Sequence, residues 1–149
     1  MTKVSAKIKA IIVSAGVGSR VGGILPKQYQ EIGGMPILAK TIKRFEEVDI
    51  IDEIVVVIAK KHHKYFNNII MPLLTKKIRL SYGGDTRHKS VHEGLKCTDK
   101  NDLVLIHDGA RPFVSGNLIK KIINETLTKG AAAPGIKVTD SLWRGENNV

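Results

Sequence analysis

Short runs of consecutive apolar residues constrain the fold more than any other feature of this chain. IVVVIA (residues 54–59) and LVLI (residues 103–106) are apolar at every position, so both faces of each strand must be covered. Between such runs lie longer segments, in which apolar residues recur at the three- and four-residue spacing of an amphipathic helix. Strands that alternate with helices predict an α/β fold with a doubly wound, mostly parallel sheet.

The same patterns predict the position of each element. The predicted strands cover residues 9–14, 53–59, 78–82, 103–107 and 131–138, and the predicted helices cover residues 36–47, 61–74, 87–96 and 116–129. In such sheets, ligands bind beyond the carboxyl ends of the strands. Four of the predicted strands are followed there by polar loops, which read SAGVGSR, GGDTRHKS, HDGARP and VTDS. We therefore expect four loops to meet at one edge of the sheet and to form one site.

Composition favours one globular domain over residues 1–149. Of the 149 residues, 42% are hydrophobic and 26% are charged, as in ordinary soluble proteins, and a chain of this length buries enough surface to fold without a metal or a disulfide. Cys97 is the single cysteine, and no run of 18 apolar residues is present. The apolar stretch at residues 10–13 is too short for the core of a secretory signal. We expect a cytoplasmic protein with no membrane partner.

A net charge of +10 raises the question of nucleic-acid binding. The 18 lysines are scattered singly or in pairs, however, and only 5% of the residues are aromatic, which leaves few rings for stacking on bases. We therefore expect no nucleic-acid partner. Arg20, Arg87 and Arg111 differ from the lysines because they lie in the loops that follow predicted strands, where a guanidinium can bind phosphate oxygens in pairs.

The loop SAGVGSR, directly after the first predicted strand, has the composition of a phosphate-binding loop. Gly16 and Gly18 let backbone N–H groups approach anionic oxygens closely. The loop lacks the Lys-Ser/Thr of a Walker A motif and the third glycine of a dinucleotide fingerprint. Arg20 and Lys27 can neutralise a triphosphate and the charge that builds at a phosphorus under attack. The alternative is a glycine-rich turn whose Arg and Lys face solvent.

SAGVGSR followed by PKQY resembles the AAGxGxRM…PKQY signature of the cytidylyltransferases that act on sugar-alcohol phosphates, and above all the 2-C-methyl-D-erythritol 4-phosphate cytidylyltransferase family. GGDTRHKSVHEGL and LVLIHDGARPFV match that family in order and spacing. The resemblance covers essentially the whole chain. It implies a Rossmann-like nucleotidyltransferase fold and the transfer of CMP from CTP to 2-C-methyl-D-erythritol 4-phosphate, with release of pyrophosphate, in isoprenoid precursor biosynthesis by the non-mevalonate pathway.

The resemblance also implies a role for each candidate site residue. Arg20 and Lys27 would be catalytic, and Asp108 would hold Mg²⁺. Arg111 and Ser141 would bind the acceptor, a polyol phosphate. CTP would be bound by Ala15, Gly16, Gly18, Ser19, Gly84, Asp85 and Ser90. The partners implied are therefore small molecules, with Mg²⁺ as the cofactor and CTP as the co-substrate.

Some local alternatives stay open at this point. Asp85 or Thr86 can cap the helix that follows, and Arg87 can simply orient Asp85. His107 is interpreted as the end of a strand and not as a general base, because a phosphate monoester is already ionised near neutral pH. The four other histidines show no zinc-like spacing and are expected at the surface.

The acceptor and the activity are open as well. Ribitol 5-phosphate cytidylyltransferases share the nucleotide loops, although HDGARP favours the methylerythritol family. This chain departs from the common pattern of that family at four positions: Ser14 for Ala, Val21 for Met, Ser141 for Thr, and Trp143 for a small or basic residue. Members of the family continue past the position of Val149 with an arm that forms a homodimer. A homodimer is therefore expected only if that arm exists, and a truncated nucleotide-binding protein without activity is a further alternative.

Overall fold

The computed structural model describes residues 6–16 and 26–141. Within these residues the strands are β1 (Ile8–Ser14), β2 (Glu31–Ile32), β3 (Met35–Pro36), β4 (Glu53–Ile58), β5 (Ile78–Tyr82) and β6 (Leu103–Asp108). The α-helices are α1 (Ile37–Glu46), the single turn α2 (His63–Tyr65), α3 (Arg87–Leu95) and α4 (Gly116–Lys129). No helix in the described part of the chain is long and apolar enough to cross a membrane.

The centre of the fold is a parallel sheet in the order β5-β4-β1-β6. Strand β1 pairs with β4 on one side and with β6 on the other, and all three pairings in the sheet are parallel. Alternate side chains of β1 and β4 enter two separate cores: Ala10, Ile12 and Val56 pack with α1 and α4, whereas Ile11, Val55 and Val57 lie on the face that α3 covers. The predicted parallel sheet with helices on both faces is confirmed.

Short polar side chains fix where the helices that flank the site begin. Thr86 caps α3 by accepting a hydrogen bond from the backbone N–H of Lys89 at 3.1 Å. Ser115 caps α4 in the same way through Leu118 at 3.2 Å. Gly130 ends α4 in the left-handed conformation, with φ of 84°, which a residue without Cβ adopts at little cost.

The prediction of a fifth strand over residues 131–138 is wrong. This segment contains no strand, and the side chains of Ile136 and Val138 are 96% and 66% exposed. Pro134 has no N–H to donate, and Gly135 adds no side chain to pack, so the segment is a poor partner for a sheet edge. Among the described residues, β6 pairs with β1 alone.

The prediction of one regular helix over residues 61–74 needs correction too. A 3-10 turn (Lys60–His62) leads into α2, which is followed by a π-helical stretch (Phe66–Ile70) and a second 3-10 turn (Met71–Leu73). Pro72 cannot donate to an α-helical ladder, and its ring would clash with a carbonyl four residues earlier. The apolar spacing still has its predicted effect, because Phe66 and Ile70 are both fully buried.

The sequence patterns missed the hairpin formed by β2 and β3. Gly33 and Gly34 make its two-residue turn with φ of 56° and 72°. A Gly-Gly pair between two short strands is a known signal for such a turn, so the hairpin was detectable. It leads directly into α1, where the N–H of Ile37 donates to the carbonyl of Gln30 at 2.9 Å.

At the amino ends of the central strands, the buried ammonium of Lys9 connects three segments. Its Nζ lies 2.8 Å from Asp102 Oδ2 and 3.3 Å from Glu53 Oε2. Lys9 belongs to β1 and Glu53 to β4, and Asp102 directly precedes β6. The Asp102 carboxylate also accepts hydrogen bonds from two backbone N–H groups. These contacts, with the hydrogen bond from Lys9 the largest, lower the pKa of Asp102 to about 2.

We expect the free energy of unfolding to fall as the pH is lowered from about 4 to about 2. The pKa of Asp102 is depressed by folding from 3.8 to about 2, so its contribution is complete above the unfolded value and is lost as the pH falls through the folded one. Urea unfolding at several pH values measures this slope. Asp102→Asn should flatten it, whereas Asp49→Asn, on an exposed turn, should leave it unchanged. An unaltered slope in Asp102→Asn would contradict the assignment.

Candidate functional site

A cleft of about 750 Å³ lies at the carboxyl ends of the four parallel strands. It is lined by residues 13–16, 27–28, 59–60, 83–87, 90 and 108–111. Three of the four polar loops that the sequence indicated therefore meet here. The fourth, VTDS, is not among the lining residues, because the strand that was to carry it is not formed.

The predicted site residues divide into three groups. Those that line the cleft are Ala15, Gly16, Lys27, Gly84, Asp85, Ser90, Asp108 and Arg111. Ser141 is exposed and does not line it. Gly18, Ser19 and Arg20 lie outside the described residues. The structure thus brings together most of the residues assigned to the nucleotide, and each individual role stays a prediction.

Gly83 lets the loop after β5 pack directly on the loop after β1. A Cβ at this position would lie 2.3 Å from Ala15 Cβ and 2.6 Å from Ser90 Oγ, which is closer than atoms tolerate. Ser90 is buried, and its hydroxyl lies 2.9 Å from the carbonyl oxygen of Thr86, to which it can donate. Small side chains and backbone in close contact therefore form the floor of the cleft, against which a flat ligand can pack.

Asp85 and Arg87 have partners that the sequence did not indicate. Because Thr86 caps α3, Asp85 is not needed for that purpose, and its carboxylate, 90% exposed, accepts a hydrogen bond from Lys89 at 3.1 Å. The suggestion that Arg87 orients Asp85 is wrong. Arg87 instead binds Asp108, with both Nε and Nη2 at 2.9 Å from Asp108 Oδ1.

Asp108 is held between two guanidinium groups. Arg87 occupies its Oδ1, and the Nε of Arg111 lies 3.0 Å from its Oδ2. Arg87 comes from the first turn of α3, so its ion pair connects α3 to the end of β6, whereas Arg111 lies in the same turn as Asp108. With Lys27 and Lys60, the described part of the lining has four cationic side chains against the two carboxylates of Asp85 and Asp108. Its charge suits a polyanion.

The donor set at Asp108 fits a metal bound together with phosphates better than a metal bound by protein alone. Among the described residues, no group of three or more His, Cys, Asp or Glu side chains could hold an ion. Mg²⁺ commonly takes one or two carboxylates and completes its shell with phosphate oxygens and water. Both carboxylate oxygens of Asp108 already contact guanidinium groups, so a cation there competes with Arg87 and Arg111.

His107 does not line the cleft and is therefore not positioned as a general base. Its Nε2 lies 3.0 Å from the carbonyl oxygen of Arg111, and since a carbonyl only accepts, this nitrogen carries the proton and donates. The ring packs against Phe45 with centroids 5.0 Å apart. The interpretation of His107 as a strand residue is confirmed, and β6 continues one residue further than predicted, to Asp108.

Sequence reasoning missed three residues that shape the cleft. Lys60 follows β4 and lines the cleft, although its loop carries no glycine or acidic residue that would have indicated a site. Thr41 is fully buried in α1, and its Oγ1 lies 2.9 Å from the carbonyl oxygen of Gly109, next to Asp108. A hydroxyl within the apolar stripe of a helix was the available signal. The third residue, Gln28, lines the cleft although it is only 6% exposed.

Comparison with known proteins gives a consistent result. Residues 8–149 match the family model described as IspD, 2-C-methyl-D-erythritol 4-phosphate cytidylyltransferase. A protein of that name from Clostridium beijerinckii is 39% identical over 142 residues, which cover 95% of this chain and 63% of that protein. Its counterpart from Clostridioides difficile is 44% identical over 134 residues, covering 89% and 56%. The chain thus spans about three fifths of the length of these curated relatives.

Solved structures agree in fold. The crystal structure of 4-diphosphocytidyl-2C-methyl-D-erythritol synthase from Anaerococcus prevotii superposes with a TM-score of 0.71 at 41% identity, over 83% of this chain and 52% of that one. The bifunctional IspDF of Campylobacter jejuni gives a TM-score of 0.75 at 27% identity, over 93% and 36%. The predicted Rossmann-like nucleotidyltransferase fold is confirmed.

We expect Gly83→Ala to lower the free energy of unfolding by about 1–3 kcal/mol, because the new methyl group overpacks the contact with Ala15 and Ser90. Denaturant titration measures this change. Gly16→Ala is the matched control, since a Cβ there meets nothing within 4 Å among the described residues, and its effect should stay within about 0.5 kcal/mol. Equal effects of the two substitutions would show that the close contact does not exist.

Proposed function

The chain belongs to the 2-C-methyl-D-erythritol 4-phosphate cytidylyltransferase family, and on that basis we propose that it transfers CMP from CTP to 2-C-methyl-D-erythritol 4-phosphate. The observation that carries the proposal is the cationic cleft at the carboxyl ends of the strands, lined by the loops that resemble the nucleotide loops of the family. Residues 1–149 would act as one nucleotidyltransferase domain in the cytoplasm, with small molecules as substrates.

In this reaction a phosphate oxygen of the acceptor attacks the α-phosphorus of CTP. A new P–O bond forms, and the bond from the α-phosphorus to the oxygen that bridges to the β-phosphate breaks, so pyrophosphate leaves with the electron pair. The acceptor phosphate is largely ionised near neutral pH and needs no general base. This agrees with the position of His107, which does not line the cleft.

Lys27 and Arg20 would stabilise the charge at the α-phosphorus and on the departing pyrophosphate. The described part of the site supports the role of Lys27, whose side chain is exposed and lines the cleft. Arg111 would bind the phosphate of the acceptor through the guanidinium that now contacts Asp108. Ser141 would also contact the acceptor, but it does not line the cleft, so the described structure gives that role no support.

Asp108 would hold Mg²⁺ together with the phosphates of CTP. The ion would neutralise charge on the triphosphate. Phosphate oxygens are alternative partners for Arg87 and Arg111, and a guanidinium that turns to a phosphate leaves a carboxylate oxygen of Asp108 available. Binding of the ion and of the nucleotide should therefore be coupled.

Two assays test the function and its alternatives. Calorimetric titration with CTP, with and without Mg²⁺, should show binding that is tighter with the ion. Pyrophosphate release, measured in parallel with 2-C-methyl-D-erythritol 4-phosphate and ribitol 5-phosphate, should occur with the first acceptor. Release with ribitol 5-phosphate instead would transfer the proposal to that acceptor, and binding of CTP without any release would show a nucleotide-binding protein without activity.

We expect Lys27→Ala to lower the rate of pyrophosphate release by about 10²–10³-fold, as the loss of one preorganised charge contact commonly does. The fold should be unaffected, because the Lys27 side chain is exposed. Steady-state kinetics and thermal unfolding measure the two effects. Lys64→Ala, an exposed lysine of α2 that does not line the cleft, is the control and should keep wild-type turnover. Near-normal turnover in Lys27→Ala would contradict the assignment.

A further inference from the structure

The side chain of Gln28 joins two points of the chain that flank the phosphate loop. Its Nε2 donates hydrogen bonds to the carbonyl oxygen of Ser14 at 3.1 Å and to that of Gly16 at 2.7 Å. Ser14 is the last residue of β1, and Gly16 is the second residue after it. Residues 17–25, which include Arg20, lie between these contacts and Gln28 in the sequence. The amide thus connects the segment that enters the loop with the segment that leaves it.

The chemistry of this contact requires a side chain that donates hydrogen bonds. Both partners are carbonyl oxygens, which only accept, so the Nε2 of the side chain must face them. A glutamate would present oxygens to the same two carbonyls, and an asparagine would be one methylene too short to occupy the same place. A methionine fills a similar volume but donates nothing. Because Gln28 is only 6% exposed, water cannot easily replace the lost donors.

The backbone around Gln28 is fixed on its other side by Tyr29. The Tyr29 ring is 1% exposed and packs edge-on against His62 and Tyr65, with ring centroids 4.9 and 4.8 Å apart. Lys27 to Tyr29 form a 3-10 turn, in which the N–H of Tyr29 donates to the carbonyl of Pro26 at 2.9 Å. Lys27 is the exposed residue of this turn and lines the cleft, whereas its two successors are buried.

We propose that Gln28 is a positioning residue that holds the backbone of Lys27 at the edge of the cleft. Its two hydrogen bonds to the carbonyl oxygens of Ser14 and Gly16 are called the clasp below. A lysine side chain is long and flexible, so the point where its Cα is fixed determines which phosphate oxygens its ammonium reaches. The clasp itself follows from the hydrogen bonds of Gln28. The effect of Gln28 on catalysis would be exerted through Lys27, and this part of the proposal rests on the proposed function.

The clasp is tested without any substrate, by hydrogen exchange of the backbone N–H groups of Tyr29 and Gln30, which donate within the turn to Pro26 and Lys27. In Gln28→Met these groups should exchange at least tenfold faster than in the wild type, while those of β4 and α1 keep their rates. Gln28→Glu should show a larger effect, and Gln28→Met decides alone if that variant does not fold. Asn68→Asp, an exposed amide changed to a carboxylate, should change nothing in the turn. Unaltered exchange in Gln28→Met would overturn the clasp.

The positioning role is tested by a double-mutant cycle on pyrophosphate release. Gln28→Met should lower kcat about tenfold and change the KM for CTP by less than threefold, and in the Lys27→Ala background it should cause no further loss. Losses that multiply would overturn action through Lys27, since a purely structural effect is independent of that side chain. A wild-type chain that releases no pyrophosphate would contradict the proposed function, and the exchange measurement would then still decide the clasp.

Discussion

The pairing of β1 between β4 and β6 is the constraint on which the rest of the structure depends. Because all three strands are parallel, Ser14 lies opposite Ile58 and Val13 lies opposite Asp108, so the chain leaves each strand at nearly the same level. Register alone therefore places the start of the phosphate loop beside Asp108. The apolar side chains of β1 and β4, buried on both faces, hold that register, since a slip by one residue would exchange the two faces of each strand.

The two ends of the sheet are built in opposite ways. At the amino ends, the ammonium of Lys9 is surrounded by acceptors and its charge is satisfied within the fold. At the carboxyl ends, Lys27 and Lys60 line an open cleft together with the two arginines that hold Asp108. A buried charged group needs fixed partners within the fold. An exposed charged group can exchange its partner for a ligand, so only the charges at the carboxyl ends are suited to binding. The ionic network at one end thus stabilises the strands whose other ends carry the site.

The fold was predictable where the spacing of apolar residues itself specifies which faces must be buried. This is so in the apolar runs of β1, β4 and β6 and in the helical spacing of α1 and α4. The strand predicted over residues 131–138 is absent. An apolar run predicts burial but not a partner strand, and the Pro-Gly pair within this run disfavours pairing in a sheet. The site was predictable as a set of loops. The contact between Arg87 and Asp108, 21 residues apart, was not, because it depends on how α3 packs beside β6 and not on any local spacing. The same holds for Gln28, which the PKQY motif marks without indicating what its side chain contacts.

The two guanidinium groups on Asp108 show that the arginines of the cationic cleft already have an anionic partner within the fold. Isolated exposed arginines would lose side-chain freedom when a phosphate binds, whereas Arg87 and Arg111 are already held by a carboxylate. Under the proposed function, an entering phosphate would exchange one anionic partner of an arginine for another. The carboxylate released would then be the one proposed to hold Mg²⁺. In the proposed function, one ion-pair network would therefore couple the binding of the nucleotide to that of the metal.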